Sequence, residues 1–212
     1  MTQNNDRIKP VGEGVVRADL YTFFDTETNG KPLSWKASIK DLDNWPRITQ
    51  LAWLVADDSG QTISEQSYVI KPDGWTVPKE KFFIEHNIST ERCEAEGVSI
   101  KFALIKFLTD VLGSRCMIAH NIAFDYNVVG SEMIRAGLSV NRKTPKFCTM
   151  EESTNLLKLP GRFGEYKWPK LEELYRWCFK KEFEGAHDAM YDVRATKESF
   201  FHLKQNNHIL CP

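Results

Sequence analysis

At 212 residues, with 42% hydrophobic and 27% charged, the chain has the length and balance of one well-buried globular domain, and no Gly-, Ser- or Pro-rich linker divides it. A net charge of -1 argues against a protein that holds nucleic acid by a broad basic field, and any polyanion must be gripped locally or through metal ions. Five scattered cysteines (Cys93, Cys116, Cys148, Cys178, Cys211) without a C-x-x-C pair argue against a disulfide framework or a zinc knuckle, and no apolar run approaches a membrane span.

Residues 1–18 lack periodicity and carry Asn, Asp, Gly and Pro, as a loosely held N-terminal arm would. Met1 to Lys9 has no signal-peptide core, so a cytoplasmic, intracellular protein is expected. A single domain is expected over 19–206, with a short tail at 207–212. Its first strand is the aromatic run from Leu20, which ends in Asp25-Thr26-Glu27-Thr28-Asn29-Gly30. Strand side chains alternate faces, so Asp25 and Glu27 point together and Thr26 points away. Taken alone, a D-x-E of this kind is more often a solvated turn than a metal site.

Asn29 to Pro46 is a long polar connection with Trp35, Trp45, Lys31, Lys36 and Lys40. Its tryptophans either stack on a nucleic acid strand or pin the loop to the core, with equal weight. Arg47 to Ala56 and Thr62 to Ile70 read as strands joined by the turn Asp57-Asp58-Ser59-Gly60, which makes an antiparallel meander. Pro72, Gly74 and Pro78 break the chain, and Ser89 or Thr90 caps a short helix ending at Gly97. Ser99 caps a helix over Ile100 to Leu112, stopped by Gly113, with Lys101, Lys106 and Asp110 on its wet face.

Cys116 to Ala119 is a short buried strand, and Asn121 is placed to cap a helix from Ile122 to Ala136, which puts Asp125 one turn in. His120 is expected to be packed or bonded to backbone. Lys146 to Thr149 reads as a last strand, followed by a helix through Leu157 that Pro160-Gly161 ends, with Gly164 loosening the next loop. Pro169 starts a helix through Phe179, and Asp188 caps the final one. The fold class is α/β: a mixed five-stranded sheet of three antiparallel strands, then two added by helical crossovers, with helices on both faces.

Three segments, FDTETNG (Asp25, Glu27), HNIAFD (Asp125) and HDAMYD (His187, Asp192), together resemble the motifs of the DEDDh exonucleases of the DnaQ-like group, which includes the DNA polymerase III epsilon subunit. The RITQLAWLV and CTM segments also look like the family's, so the likeness covers nearly all of the chain from Leu20 to Leu203. The resemblance implies a three-layer ribonuclease H-like fold. It also implies two divalent cations, Mg²⁺ or Mn²⁺, held by Asp25, Glu27, Asp125 and Asp192, with Asp25 bridging them and His187 as general base.

The implied reaction is metal-dependent 3′ to 5′ hydrolysis at single-stranded nucleic acid 3′ ends, DNA favoured, releasing nucleoside 5′-monophosphates. Thr28, Asn121 and Trp35 are the expected substrate contacts. RNA trimming is the alternative within the same chemistry, and a non-catalytic binding protein is the remoter one. A DNA polymerase, as in proofreading, or a second copy of the chain are the protein partners that the likeness raises.

Overall fold

The computed structural model describes residues 17–182 and 188–210; His187 lies outside them. β1 (Arg17–Thr28) is the middle strand. It pairs antiparallel with β2 (Ile48–Asp57), which pairs antiparallel with β3 (Thr62–Val69). On its other side β1 runs parallel to β4 (Ser114–Ala119), and β4 to β5 (Lys146–Cys148), so the order is β3-β2-β1-β4-β5. This is the expected mixed sheet.

Seven α-helices are described: α1 (Lys81–Glu85), α2 (Thr90–Glu96), α3 (Ile100–Leu112), α4 (Ile122–Arg135), α5 (Thr149–Leu157), α6 (Leu171–Phe179) and α7 (Ala189–Gln205). None is long and apolar enough to cross a membrane.

Because β1 is central, both of its faces are buried, and its near-continuous apolar run is divided between them by the pleat. Phe24 packs with Leu51, Trp53 and Met117 under α3 and α4, where Leu104, Phe107, Val128 and Met133 complete the layer. Tyr21 and Phe23 pack with Leu54 and Ile118 under α6 and α7, against Leu174, Val193 and Phe200. Two residues further on, the same alternation turns Asp25 and Glu27 to the α7 side and Thr26 to the α4 side.

Local signals set the helix ends where they are unambiguous. The Ser89 and Ser99 hydroxyls accept from the amides of Arg92 and Phe102 at 3.1 and 3.3 Å, and α3 stops at Gly113. Two starts differ from expectation. Asn121 stands at the head of α4 but in the left-handed conformation (φ 68°), where its side chain makes no capping bond. The chain must turn sharply from β4 into α4 there, and Asn tolerates that backbone better than most residues. Pro169 precedes α6 rather than starting it; the amide of Lys170 instead donates to Glu173 Oε2 at 2.8 Å. The carboxylate of Asp110, read as wet-face, accepts from Trp53 Nε1 at 2.7 Å and satisfies a buried indole.

The connection from β1 to β2 is strapped to α4. Glu132, only 1% exposed, receives Arg47 Nε at 2.6 Å and Arg135 Nη1 at 3.1 Å, while Arg135 Nη2 donates to the carbonyls of Trp45 (2.7 Å) and Leu42. Trp45 is the tryptophan that pins the loop: it is 3% exposed, and its indole donates to the Ser38 carbonyl at 3.0 Å. Trp35 is 60% exposed.

Candidate active site

The C-terminal end of β1 collects the acids. One carboxylate oxygen each from Asp25, Glu27 and Asp192 lies within 4.8 Å of the others. Asp25 and Glu27 reach this point through strand alternation, and Asp192 through the first turn of α7, the helix that covers the same face. The start of α7 is fixed by Asp188, whose Oδ1 accepts from the Met190 amide at 3.0 Å.

Asp125 adjoins these three acids from the other side of β1. It is buried in α4, and its Oδ1 accepts from both the amide (3.0 Å) and the hydroxyl (2.7 Å) of Thr26. Thr26 thus uses its opposite-facing position between the two acids to orient a third.

Burial, joined at Asp25 and Glu27 by repulsion from the neighbouring acids, favours the protonated forms of Asp25, Glu27 and Asp125. Asp25 is raised well above the ordinary carboxylate range, by desolvation first and then by Asp125, Asp192, Glu27 and Asp188. Desolvation, followed by Asp192, Asp125 and Asp188, pushes Glu27 up to about 8. Asp125 rises to about 7 through burial, against the two bonds from Thr26, which lower it.

The donor set fits a divalent cation: oxygen ligands only, several negative charges in a partly dry site, and an excess of repulsion that a bound cation would relieve. A pH dependence follows. For carboxyls raised in the folded state, the stabilising contribution is complete below their unfolded values and is lost as pH rises through the folded ones. The unfolded references are 3.8 for Asp and 4.5 for Glu, and the folded values reach about 7 and 8.

Between about pH 6 and pH 8 the chain in EDTA is therefore expected to lose thermal stability from this site. Added divalent cation should raise Tm more at the upper pH, because protons compete with it at the lower. Thermal melts with and without cation at both pH values check this, and a metal-induced shift that ignores pH would contradict it.

Beside the acids a cleft of about 610 Å³ opens, lined by Glu27, Thr28, Gly30, Pro78, Phe83 and Phe124 among others. The Thr28 hydroxyl donates to the Gly30 carbonyl at 2.7 Å and shapes the rim. Asn29 closes the loop behind it, accepting from the Arg47 amide at 2.8 Å and donating to the Thr76 carbonyl at 3.0 Å. Trp35 leans on Phe124, ring centroids 5.8 Å apart, and so extends this aromatic wall outward. Asn121 lies at the head of α4, three residues before Phe124.

His120 is kept out of the chemistry by its bonds. Its Nε2 donates to the Pro169 carbonyl at 3.0 Å, Nδ1 faces the Thr149 hydroxyl at 3.0 Å, and burial drives its pKa down to about 4. His187, the expected base, lies outside the described residues, one position before Asp188.

Asp188 was read from sequence only as a helix cap, yet its charge acts on both Asp25 and Glu27, and Gln50 Nε2 approaches its Oδ2 at 3.5 Å. Its spacing of four from Asp192 was the available signal, since residues four apart share a helix face. Gln50 carried no such signal: it approaches from β2, 138 positions earlier in the chain.

The model of the exonuclease family RNase_T matches residues 22–200. No curated protein sequence matches the chain. Among solved structures, it is similar to E. coli exonuclease I in complex with a dA16 oligonucleotide, with a TM-score of 0.68 and 20% identity over 88% of this chain and 41% of that one. The E. coli exonuclease I complex with dT13 gives the same figures. A product-bound structure of exonuclease I has a TM-score of 0.68 and 18% identity over 90% and 45% of the two chains. At these identities the likeness is one of fold, and the chain spans less than half the length of those proteins.

Proposed function

The chain belongs to the exonuclease family whose model spans residues 22–200, and from that premise we propose that its domain, residues 19–206, hydrolyses single-stranded DNA from the 3′ end and releases nucleoside 5′-monophosphates. The observation that carries this reading is the convergence of Asp25, Glu27 and Asp192 within 4.8 Å at the mouth of a nucleotide-sized cleft.

Mg²⁺ or Mn²⁺ held by these three acids, with Asp125 serving a second ion, would supply positive charge against the phosphate and make the attacking water more acidic. The chain's own part is positional. Thr26 fixes the carboxylate of Asp125, and Asp188 sets the start of α7 and with it Asp192. Phe124 in the cleft wall, with Trp35 packed on it, offers aromatic faces to a base. His187 takes the proton of the attacking water.

Single-stranded DNA as substrate is supported by the fold shared with E. coli exonuclease I, which was solved with dA16 and dT13. Among the described residues, the four acids all come from one chain. A panel of 5′-labelled single-stranded DNA, 3′-mismatched duplex and RNA, with Mg²⁺, Mn²⁺ or EDTA, tests the reading. A ladder shortened stepwise from the 3′ end, absent in EDTA, is expected; internal cuts, or no product from any member, would refute it.

Trp35 gives a second, smaller expectation. Base stacking on an aromatic ring is worth about 1 to 3 kcal/mol, so Trp35→Ala should raise KM for oligonucleotides several-fold. Its exposure means that Tm should hold. An unchanged KM with a lowered Tm would instead assign Trp35 to packing on Phe124.

A further inference from the structure

The segment between α5 and α6 is a built projection rather than a slack loop. The Gly161 amide donates to the Glu165 carbonyl at 2.9 Å, and the Lys167 amide to that of Leu159 at 3.0 Å, with Pro160 and Tyr166 bridged as in a short hairpin. Gly161 is required there, because a Cβ would come within 2.5 Å of the Glu165 carbonyl oxygen and 2.8 Å of the Lys167 amide. At the tip Phe163 is fully exposed and holds a left-handed backbone (φ 57°), an unusual state for a bulky residue. Trp168 is 66% exposed on the returning strand, with Tyr166 between them at 46%. Three aromatic rings in water on one ordered turn call for an occupant.

Charge and position identify it. From 158 to 170 the segment carries Lys158, Arg162, Lys167 and Lys170 against the single acid Glu165, in a chain whose net charge is -1. The root of the projection is buried Pro169, whose carbonyl accepts from His120. His120 follows directly on β4, and the register of Phe23 opposite Ile118 in the parallel pair extends to place it level with Asp25. Parallel strands lie about 4.8 Å apart, so His120, whose ring holds the root at 3.0 Å, stands one strand away from Asp25. Six residues of extended chain separate tip and root, a reach of at most about 20 Å.

We propose that Phe163, Tyr166 and Trp168, flanked by Lys158, Arg162 and Lys170 while Lys167 between them is paired with Glu173 at 2.5 Å, form a stacking platform for the single-stranded stretch on the 5′ side of the nucleotide being removed. Aromatic faces interleaved with Lys and Arg suit bases and backbone together, and serve every base because each has a face to stack. The inference rests on the exonuclease reading, but the platform is separate from the acids and acts on affinity for longer strands rather than on the chemical step.

Two substrates separate these effects: the p-nitrophenyl ester of thymidine 5′-monophosphate, which needs only the acid site, and an oligothymidylate of about 20 nucleotides, which reaches the platform. Phe163→Asn keeps a residue that tolerates the left-handed backbone while removing the ring. Combined with Trp168→Ala, it should lower kcat/KM for the oligonucleotide by about 10- to 100-fold and leave ester hydrolysis unchanged. Phe163→Tyr, which keeps the face, should behave as wild type.

Fluorescence anisotropy of the labelled oligonucleotide in EDTA measures binding without catalysis, and the double variant should weaken it by a similar factor. Unchanged oligonucleotide affinity would overturn the platform and leave the rings to a protein partner. Equal loss on both substrates would overturn it as well, by placing the defect in the acid site. If wild type hydrolyses neither substrate, the exonuclease reading fails, and the anisotropy alone then decides whether the platform stands.

Discussion

Asp25→Asn is expected to reduce hydrolysis to background while leaving the protein at least as stable in EDTA. Asp25 is the carboxylate on which Asp125, Asp192, Glu27 and Asp188 all act, so it sits at the electrostatic centre of the site. Replacing it with an amide of the same shape removes the charge that a cation would most need and also relieves repulsion among the remaining acids. Glu27→Gln should act in the same direction. Activity on labelled oligonucleotide, Tm in EDTA and the Tm increment on adding Mn²⁺ are the three measurements. Near-wild-type hydrolysis by either purified variant, or an undiminished Mn²⁺ increment, would remove these residues from the metal site.

His187→Ala is expected to lower the single-turnover rate by on the order of 10² to 10⁴-fold, the range of general base catalysis, with little change in Mn²⁺ or oligonucleotide affinity. The support is its place in the chain: one residue before the cap Asp188, and hence outside α7, while Asp192 lies inside the first turn. His187→Gln should fail equally, since an amide accepts hydrogen bonds but does not take up the proton.

With Mn²⁺ saturating at every pH, so that proton competition at the carboxyls drops out of the profile, the wild-type rate should fall as pH drops through the imidazole range, about 6.5 for an unperturbed histidine, and the variants should lack that limb. Retained rates in His187→Ala, or a loss of metal equal to that of Asp25→Asn, would end the assignment.

What was legible in the sequence obeys rules that act within a few residues. Ser99, a helical apolar pattern and Gly113 delimit α3 because an N-cap hydroxyl and a helix stop act within one turn. Period two determines that Asp25 and Glu27 share a face whatever surrounds them, and that Thr26 takes the other. The meander and the two crossovers followed from the order of the elements, since short turns pair neighbouring strands and helices return the chain for parallel ones.

Tertiary structure alone decided the relations through space. Thr26 holds Asp125 across 99 positions, and Gln50 approaches Asp188 across 138. Nothing local distinguishes Trp45, buried where Arg135 straps the loop to α4, from Trp35, left in solvent beside Phe124. The capping role foreseen for Asn121 gave way to a left-handed turn because the direction of the chain at the end of β4 is set by the packing of α4 on the sheet. Segment 158–170 shows the same division. Its glycines and proline announced a break in the chain, but only the backbone bonds across Gly161 and the tether of Pro169 to His120 order it as a projection. Side-chain periodicity and capping are properties of neighbouring residues, whereas burial, charge repulsion and the shape of a cleft belong to groups that meet only when the sheet and its two helical layers have closed.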